Sequence, residues 1–171
     1  LDFVENRLID QDYEIARVVA QDTLHKDVLT INTGANANVQ VDLPVIVNNG
    51  IIVGKVISVT PNTSKVLLLR DPQSQLAVRI LEKNSKSNLL TGKYGLSVRV
   101  DMIPKDINLE KGDLVVTSGI EQNIPAGLVV GTVEKIEIDS NDLFQSAVVQ
   151  PSVSYDEISI VSVLLNQNQY D

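Results

Sequence analysis

The feature that most constrains this fold is a series of short apolar runs, each rich in Val, Ile and Leu and each bounded by turn-forming residues. Twelve such runs follow one another between residues 17 and 165, six in each half of the chain. Short aliphatic runs between Gly, Pro, Asn, Asp and Ser are typical of β-strands. Because no long amphipathic helix separates them, the pattern favours antiparallel barrels or a sandwich over parallel βαβ units.

The two halves of the chain are also similar in sequence. VIVNNGIIVGKVISV at 45–59 matches LVVTSG at 114–119 followed, after an insertion, by GLVVGTVEKI at 127–136. Each copy runs from a strand through a glycine corner into the pattern G-h-h-V-G-x-V, in which h is apolar. The repeat predicts a duplicated six-stranded unit.

The glycines of this repeat are Gly50, Gly54, Gly119, Gly127 and Gly131. A phosphate-binding loop would require a following helix with a lysine or a Rossmann fingerprint, and here the chain continues as an alternating strand. Glycine in a barrel strand is typical of a bend or a bulge. We therefore interpret all five as structural positions.

Composition narrows the classes of partner. The net charge is −8, and the few basic residues are scattered, so no basic surface for nucleic acid is predicted.

The chain has no cysteine and one histidine, which excludes disulfides, thiolate chemistry and a zinc ligand set. DSND at 139–142 fails as a calcium loop because Phe144 and Gln150 stand where glycine and glutamate are required. We expect no metal and no cofactor.

The first residues have helical character. Leu1, Val4 and Leu8 fall on one stripe at helical spacing within LDFVENRLIDQDYEIA. This helix either docks on its own domain or is the end of a dimeric coiled coil. Because the sequence starts without Met, we interpret it as a fragment of a longer protein.

The predicted architecture is all-β, with two six-stranded antiparallel barrels side by side after a short N-terminal helix. Residues 1–14 are predicted to be the end of an N-terminal helix or coiled coil, residues 15–88 the first barrel and residues 89–166 the second. The polar residues 167–171 are expected to form a disordered tail.

The chain resembles the MreC family, the rod-shape-determining proteins of bacteria. The most specific likeness is GDLVVTSGIEQNIPAGLVVGTV at 112–133, which is similar to the family pattern G-D-x-V-x-T-S-G, an insert and P-x-G-h-x-V-G-x-V. GIIVGKVISVTPNTSKVLLLRD at 50–71, LTINTG at 29–34 and the EN of 5–6 also fit.

The resemblance implies two barrels in a chymotrypsin-like layout, preceded by a coiled coil and a single membrane-spanning helix absent from this fragment. It implies a non-enzymatic scaffold of cell-wall elongation, held in the cell membrane with this domain on the extracytoplasmic side. The implied partners are the protein itself, as a dimer or higher oligomer, a class B penicillin-binding protein, MreD and other shape proteins.

A protease-like serine hydrolase is the alternative function. Ser118 lies in a glycine-flanked turn, and the order His25, Asp71, Ser118 mimics a protease triad. However, His25 sits in a polar turn, and Ser118 lacks the G-x-S-x-G elbow. We favour Thr117 and Ser118 as turn residues.

The insert IEQNIPA at 120–126 is the main difference between the two copies. Ile120, Ile124 and Pro125 form the candidate partner loop, because exposed apolar loops of an all-β protein recruit partners. The competing interpretation is that both isoleucines close the end of a barrel.

Overall fold

A computed structural model describes residues 11–48, 50–93, 97–138 and 143–166. Within these ranges the chain forms twelve strands and two short 3-10 helices, Ala35–Ala37 and Tyr155–Glu157, and no α-helix. The strands are β1 (Tyr13–Gln21), β2 (Val28–Ile31), β3 (Pro44–Val47), β4 (Ile51–Val59), β5 (Ser64–Leu68), β6 (Gln75–Ile80), β7 (Asn88–Gly92), β8 (Val98–Pro104), β9 (Leu114–Thr117), β10 (Val129–Ile138), β11 (Phe144–Pro151) and β12 (Ile160–Leu164). Each of the twelve apolar runs overlaps one strand, which confirms the all-β prediction.

The alternation within β6 shows how the sequence builds the core. Leu76, Val78 and Ile80 are fully buried, whereas Gln75 is exposed. Successive side chains of a strand point to opposite faces, so every second residue fills the interior. Burying one such aliphatic side chain contributes about 1.5–3 kcal/mol, which makes the aliphatic core the main source of stability.

The first of two compact units contains residues 11–68 and 154–166 of the described chain. Its strands pair antiparallel in the order β4–β3–β12–β1–β2–β5. β5 also pairs with β4, which closes the six strands into a ring. A closed ring leaves no free strand edge, which is how β-barrels avoid edge-to-edge association.

The second unit contains the described residues between 69 and 153. Its antiparallel order is β10–β9–β6–β7–β8–β11, and β11 pairs with β10 to close this ring as well. Position by position, β9–β10–β11 occupy the places that β3–β4–β5 occupy in the first ring. The structural repeat therefore follows the sequence repeat.

The last strand of each sequence repeat lies in the ring of the other repeat. β6 follows β5 in the chain but pairs with β7 and β9, and β12 follows β11 but pairs with β1 and β3. The predicted linear division into 15–88 and 89–166 is therefore wrong as a description of the compact units. The reason is long-range pairing: β6 and β12 take equivalent places in the two rings, and each pairs with strands of the other repeat.

The structure has a strand where the end of the N-terminal helix was predicted. Tyr13 and Glu14 belong to β1, where they pair with Leu164 and Val163 of β12. The last two residues of the predicted helical segment are therefore in a strand, because they pair with β12. The predicted helix stripe of Leu1, Val4 and Leu8 lies outside the described residues, as does the predicted tail at 167–171. A search of the described ranges for a helix long and apolar enough to cross a membrane finds none.

Candidate functional site

Gly54 and Gly131 hold equivalent places on β4 and β10, the strands at the centre of the sequence repeat. A Cβ on Gly54 would overlap the backbone oxygen of Leu67, and one on Gly131 would overlap that of Gln150. Each glycine therefore allows a neighbouring strand of its own ring to approach closely. The pair has a packing role, and neither glycine belongs to a loop.

The two repeats differ in the segment that joins these equivalent strands. In the first, β3 ends at Val47 and β4 begins at Ile51, with Gly50 at a φ of 142° in the turn between them. In the second, β9 ends at Thr117 and β10 begins at Val129. We call residues 118–128 the insert loop.

Thr117 fixes the base of the insert loop. Its side chain is fully buried, and its Oγ1 donates to the backbone oxygen of Pro125 (2.6 Å) while accepting from the N–H of Leu128 (2.9 Å). The N–H of Gly127 donates to the Thr117 carbonyl at 3.0 Å. Gly127 has a φ of 92°, in the left-handed region that favours glycine. The hydroxyl of Thr117 thus holds both ends of the loop together.

A second set of hydrogen bonds fixes the loop to β6. The N–H of Ala77 donates to Oε2 of Glu121 at 2.8 Å, and the N–H of Ser118 donates to the carbonyl of Ala77 at 3.0 Å. Hydrogen bonds to a carboxylate are about twice as strong as those between neutral groups. The insert loop is therefore an anchored segment with a defined surface.

The two isoleucines of the loop have opposite environments. Ile124 is buried, with 4% of its surface exposed, whereas Ile120 is 70% exposed. Pro125 is half-buried beside Ile124 in sequence. Ile124 thus contributes to the core of the second unit, and Ile120 presents its side chain to solvent. The burial of Ile124 agrees with the interpretation that the isoleucines close the end of a barrel, whereas the exposure of Ile120 does not, and the partner role of the loop stays a prediction.

Ser118, the candidate nucleophile, has a partner that cannot activate it. Its Oγ accepts a hydrogen bond from the hydroxyl of Ser87 at 2.9 Å. A nucleophilic serine requires a general base such as an imidazole, and a second hydroxyl does not supply one. The geometry supports no hydrolase site at this serine.

The other two members of the proposed triad belong to local turns. Oδ1 of Asp71 accepts from the N–H of Gln73 at 2.8 Å. The N–H of His25 donates to Oδ1 of Asp22 at 3.1 Å in a polar turn. Hydrogen bonds from the backbone N–H groups of Leu24 and His25 lower the pKa of Asp22. These contacts are those of turn formation.

The predicted absence of a metal site is tested over only part of the chain. No group of three or more His, Asp or Glu side chains within 11–48, 50–93, 97–138 and 143–166 is arranged to hold a metal ion. DSND at 139–142 lies outside the described residues.

Sequence reasoning missed a charged cavity on the second unit. Nε of Arg99 lies 2.7 Å from Oδ1 of Asp101, and its Nη1 lies 2.6 Å from Oε2 of Glu137. We call this cavity, of about 670 Å³, the Arg99 cavity. Its lining residues are Arg99, Asp101, Met102, Glu137, Ile138, Phe144, Gln145 and Ser146.

The ion pairs of this cavity shift the pKa values of its members. The hydrogen bond to Asp101 raises the pKa of Arg99. Partial burial works to raise the pKa of Asp101, but hydrogen bonds from Arg99 and Ser146 hold it below its ordinary value. The alternation in VRVD could have placed Arg99 and Asp101 on one face, but nothing local indicates that Glu137 joins them.

The described surface thus offers an anchored loop with one exposed isoleucine and a charged cavity with an apolar rim. Both features are typical of sites that bind other proteins. The structure is thus an all-β domain of two closed antiparallel rings that carries two candidate sites for contact with another protein.

Comparison with known proteins identifies the family. A family model described as "Rod shape-determining protein MreC, barrel core" matches residues 18–165. The chain is 31% identical over 160 residues to the cell shape-determining protein MreC of Haemophilus influenzae, with 93% of this chain and 45% of that protein covered. The chain therefore belongs to the MreC family. It spans about half the length of the curated relatives it matches.

Solved structures of relatives share the fold. MreC of Listeria monocytogenes superposes with a TM-score of 0.84 at 26% identity, covering 96% of this chain and 83% of that one. A structure described as the major periplasmic domain from the cell shape-determining filament MreC has a TM-score of 0.77 at 20% identity, covering 92% and 97%. A complex between penicillin-binding protein PBP2 and MreC from Helicobacter pylori gives 0.72 at 20% identity, covering 92% and 100%.

Proposed function

We propose that this chain is the interaction domain of a non-enzymatic scaffold that controls rod shape by organising cell-wall synthesis. The observation that carries the proposal is the insert loop, which is anchored at both ends and presents Ile120, within a chain of the MreC family. An exposed apolar side chain on a fixed backbone is a low-cost contact, because little conformational entropy is lost when a partner binds.

The proposed partner of the insert loop is a class B penicillin-binding protein. A relative of the same fold has been solved in complex with the penicillin-binding protein PBP2. In this chain we assign the contact to Ile120 at the tip, with Ile124 and Pro125 supporting the loop from within. MreD and other shape proteins are further proposed partners, on the family resemblance alone.

The proposed location is the extracytoplasmic side of the cell membrane, with anchoring by a membrane helix N-terminal to this chain. A structure of the same fold is described as a periplasmic domain of a filament protein. We further propose that the protein self-associates through the stripe of Leu1, Val4 and Leu8. Sedimentation of the full extracytoplasmic region with these three residues changed to serine tests this step, and an unchanged oligomer would contradict it.

Calorimetric titration tests the role of Ile120. The ectodomain of the organism's own class B penicillin-binding protein is titrated with the wild-type chain and with Ile120→Ser. We expect Ile120→Ser to weaken binding about ten-fold or more, as loss of a central apolar contact does. Ile57→Ser is the matched control, because Ile57 is also an exposed isoleucine but lies on β4 of the first unit.

The control and the variant separate the outcomes of this titration. Ile57→Ser should bind like the wild type. Equal affinity of Ile120→Ser and wild type would contradict the assignment to the insert loop. Failure of the wild-type chain to bind the enzyme at all would contradict the proposed partner.

A further inference from the structure

The outer side of β1, in the first unit, exposes a row of large side chains. Tyr13, Ile15 and Val19 are 56%, 62% and 54% exposed, and Arg17 is exposed between Ile15 and Val19. The residues between them in sequence are less exposed, as expected for a strand whose side chains alternate between two faces. The row is therefore one continuous side of the strand.

The neighbouring strand β12 extends this row sideways. Ile160 is 58% exposed and lies directly opposite Arg17 in the antiparallel ladder, so both side chains point to the same side of the sheet. We call this surface the β1 face; it consists of Tyr13, Ile15, Arg17, Val19 and Ile160. Exposed apolar side chains that are contiguous, rather than scattered singly, indicate an interaction surface.

The equivalent strand of the second ring shows that the fold does not require such a surface. β7 occupies in the second ring the place that β1 occupies in the first. Its outward residues are Leu89, which is 48% exposed, and Thr91, which is half-buried. Within β7, all of which the structure describes, one large apolar side chain is exposed, whereas β1 exposes three. The extra apolar residues of β1 therefore have a role other than closing the ring.

The backbone that carries the β1 face is fixed on both sides near Arg17. The N–H of Arg17 donates to Oδ1 of Asn32 at 2.8 Å, and its carbonyl accepts from the N–H of Asn32 at 3.1 Å. On the other side, the N–H of Val18 donates to the carbonyl of Ser159 at 2.8 Å. Within the part of the chain that the structure describes, the Arg17 guanidinium has no carboxylate partner. A positive charge thus lies among apolar side chains on a strand of fixed position.

The order of side chains on the β1 face is self-complementary. Two copies can pack this face on each other about a two-fold axis with their β1 strands either parallel or antiparallel. A parallel pair centred on Ile15 would place the two Arg17 side chains against each other, which opposes association because like charges repel. An antiparallel pair centred on Ile15 instead places each Arg17 against Tyr13 of the other copy, because both lie two positions from Ile15.

The antiparallel arrangement gives every large side chain near the centre a favourable contact. An arginine over a tyrosine ring is attracted by the aromatic face. In a two-fold interface residue i contacts residue j and j contacts i, so this contact forms twice. Ile160, opposite Arg17 in the ladder, lies beside the same tyrosine, and Ile15 packs on Ile15 at the axis. The β1 face therefore matches a second copy of itself.

We propose that two copies of this chain associate through their β1 faces, with antiparallel β1 strands and Ile15 at the two-fold axis. The contact uses neither the insert loop nor the stripe of Leu1, Val4 and Leu8, so it is independent of both contacts proposed above. Five residues on each copy form the face, against about 20–30 in a stable interface, so we expect a weak dimer.

Sedimentation equilibrium measures this contact in a chain that lacks the stripe. Leu1, Val4 and Leu8 are changed to serine, so that the association that remains reports on the β1 face. We expect a monomer–dimer equilibrium, with amide shifts of the 15N-labelled chain that depend on concentration at residues 13–19 and 160–162 but not at 88–92. A chain that stays monomeric up to about 1 mM would overturn the proposal. Undiminished association would contradict the stripe contact instead, so the two proposals fail separately.

Charge at position 13 tests the antiparallel register. In the serine background, Tyr13→Lys places a second cation against Arg17 of the other copy and should weaken the dimer at least about ten-fold. Tyr13→Glu places a carboxylate there and should keep the affinity within about three-fold of the background at low salt. Equal weakening by both substitutions would overturn the proposed arrangement.

An apolar variant tests the axis. Ile15→Ser removes an apolar contact from both copies at once and should weaken the dimer about ten-fold. Leu89→Ser is the matched control, because Leu89 is the exposed apolar residue of the equivalent strand β7. The dispersion of amide shifts reports whether each variant is folded, and if Ile15→Ser is not, the two variants of Tyr13 still decide the proposal. Unchanged affinity in a folded Ile15→Ser, or an equal loss in Leu89→Ser, would overturn it.

Discussion

The short turn between β3 and β4 and the insert loop between β9 and β10 join equivalent strands in two copies of one repeat. The first connects Val47 to Ile51, whereas the insert loop spans 118–128 and has its own anchors. The copies share a close-packed glycine in the following strand, Gly54 and Gly131. The duplicated strands therefore build the rings, whereas the insert loop, which only the second copy has, exposes Ile120 to solvent.

The two isoleucines of the insert loop should contribute very differently to the stability of the fold. Ile124→Ala should lower the free energy of unfolding by about 3 kcal/mol, because it leaves a cavity in the core. Ile120→Ala should change it by less than about 0.5 kcal/mol, as exposed substitutions do. Urea denaturation measures both. Similar losses of unfolding free energy in the two variants would show that Ile120 is as important to the core as Ile124.

The equivalence of the two copies can be tested at Gly54 and Gly131. Alanine at either position should lower the free energy of unfolding by about 3 kcal/mol, because its Cβ meets a backbone oxygen that cannot move without distorting the ring. Gly127→Ala should cost only about 1–2 kcal/mol, from its left-handed backbone alone, since no atom lies within 4 Å of the new Cβ. Thermal and urea unfolding rank the three variants. A tolerated Gly54→Ala beside a disruptive Gly131→Ala would break the equivalence.

The anchoring of the insert loop depends on the Thr117 hydroxyl. Thr117→Val keeps the size of the side chain but leaves the N–H of Leu128 and the carbonyl of Pro125 without this partner. We expect a loss of about 2 kcal/mol. Hydrogen exchange should become faster at residues 118–128 and stay unchanged at residues 48–50. Uniform acceleration in both regions would mean that Thr117 stabilises the whole fold rather than the loop.

The smallest predicted effect is a pH dependence at the Arg99 cavity. The folded-state pKa of Asp101 is held below its ordinary value, although partial burial works the other way, by hydrogen bonds from Arg99 and Ser146. Such a group stabilises the fold above its unfolded-state pKa of about 3.9, and this stabilisation is lost as the pH falls through the folded-state pKa. Because Asp101 is substantially exposed, solvent screening limits the effect to about 0.5 kcal/mol.

Asp101→Asn should therefore reduce the loss of stability between about pH 4 and pH 2. Urea midpoints measured from pH 2 to pH 6 compare the variant with the wild type, and Arg99→Gln should flatten the curve in the same interval. If both variants lose stability at acidic pH as the wild type does, the Arg99–Asp101 pair does not contribute to the pH dependence.

Sequence predicted the local parts of the fold well, because strand periodicity and glycine corners are local properties. The strand at Leu76, Val78 and Ile80 follows from its period alone, as does the structural role of Gly54 and Gly131. Which ring receives β6 or β12 is decided by long-range pairing. Since both strands present the same apolar alternation, no local signal separates the two outcomes. Tyr13 was predicted to lie at the end of a helix, but it is in a strand because it pairs with β12.

The site was predicted only in part for the same reason. The insertion in the second copy indicated residues 120–126 as a candidate site. A loop has no regular periodicity, so the sequence could not predict that Ile124 is buried and Ile120 exposed. The Arg99 cavity depends on a bulge in β8 and on Glu137 from β10, and their meeting is a property of strand register.

Photo-crosslinking tests whether the insert loop carries the contact with the penicillin-binding protein. p-Benzoylphenylalanine is placed at position 120 or at position 57 of the full-length protein in living cells, and adducts are probed for the class B penicillin-binding protein. We expect an adduct from position 120 and none from position 57. An adduct from position 57 alone, or equal adducts from both positions, would contradict the claim that the segment unique to the second copy carries the partner contact.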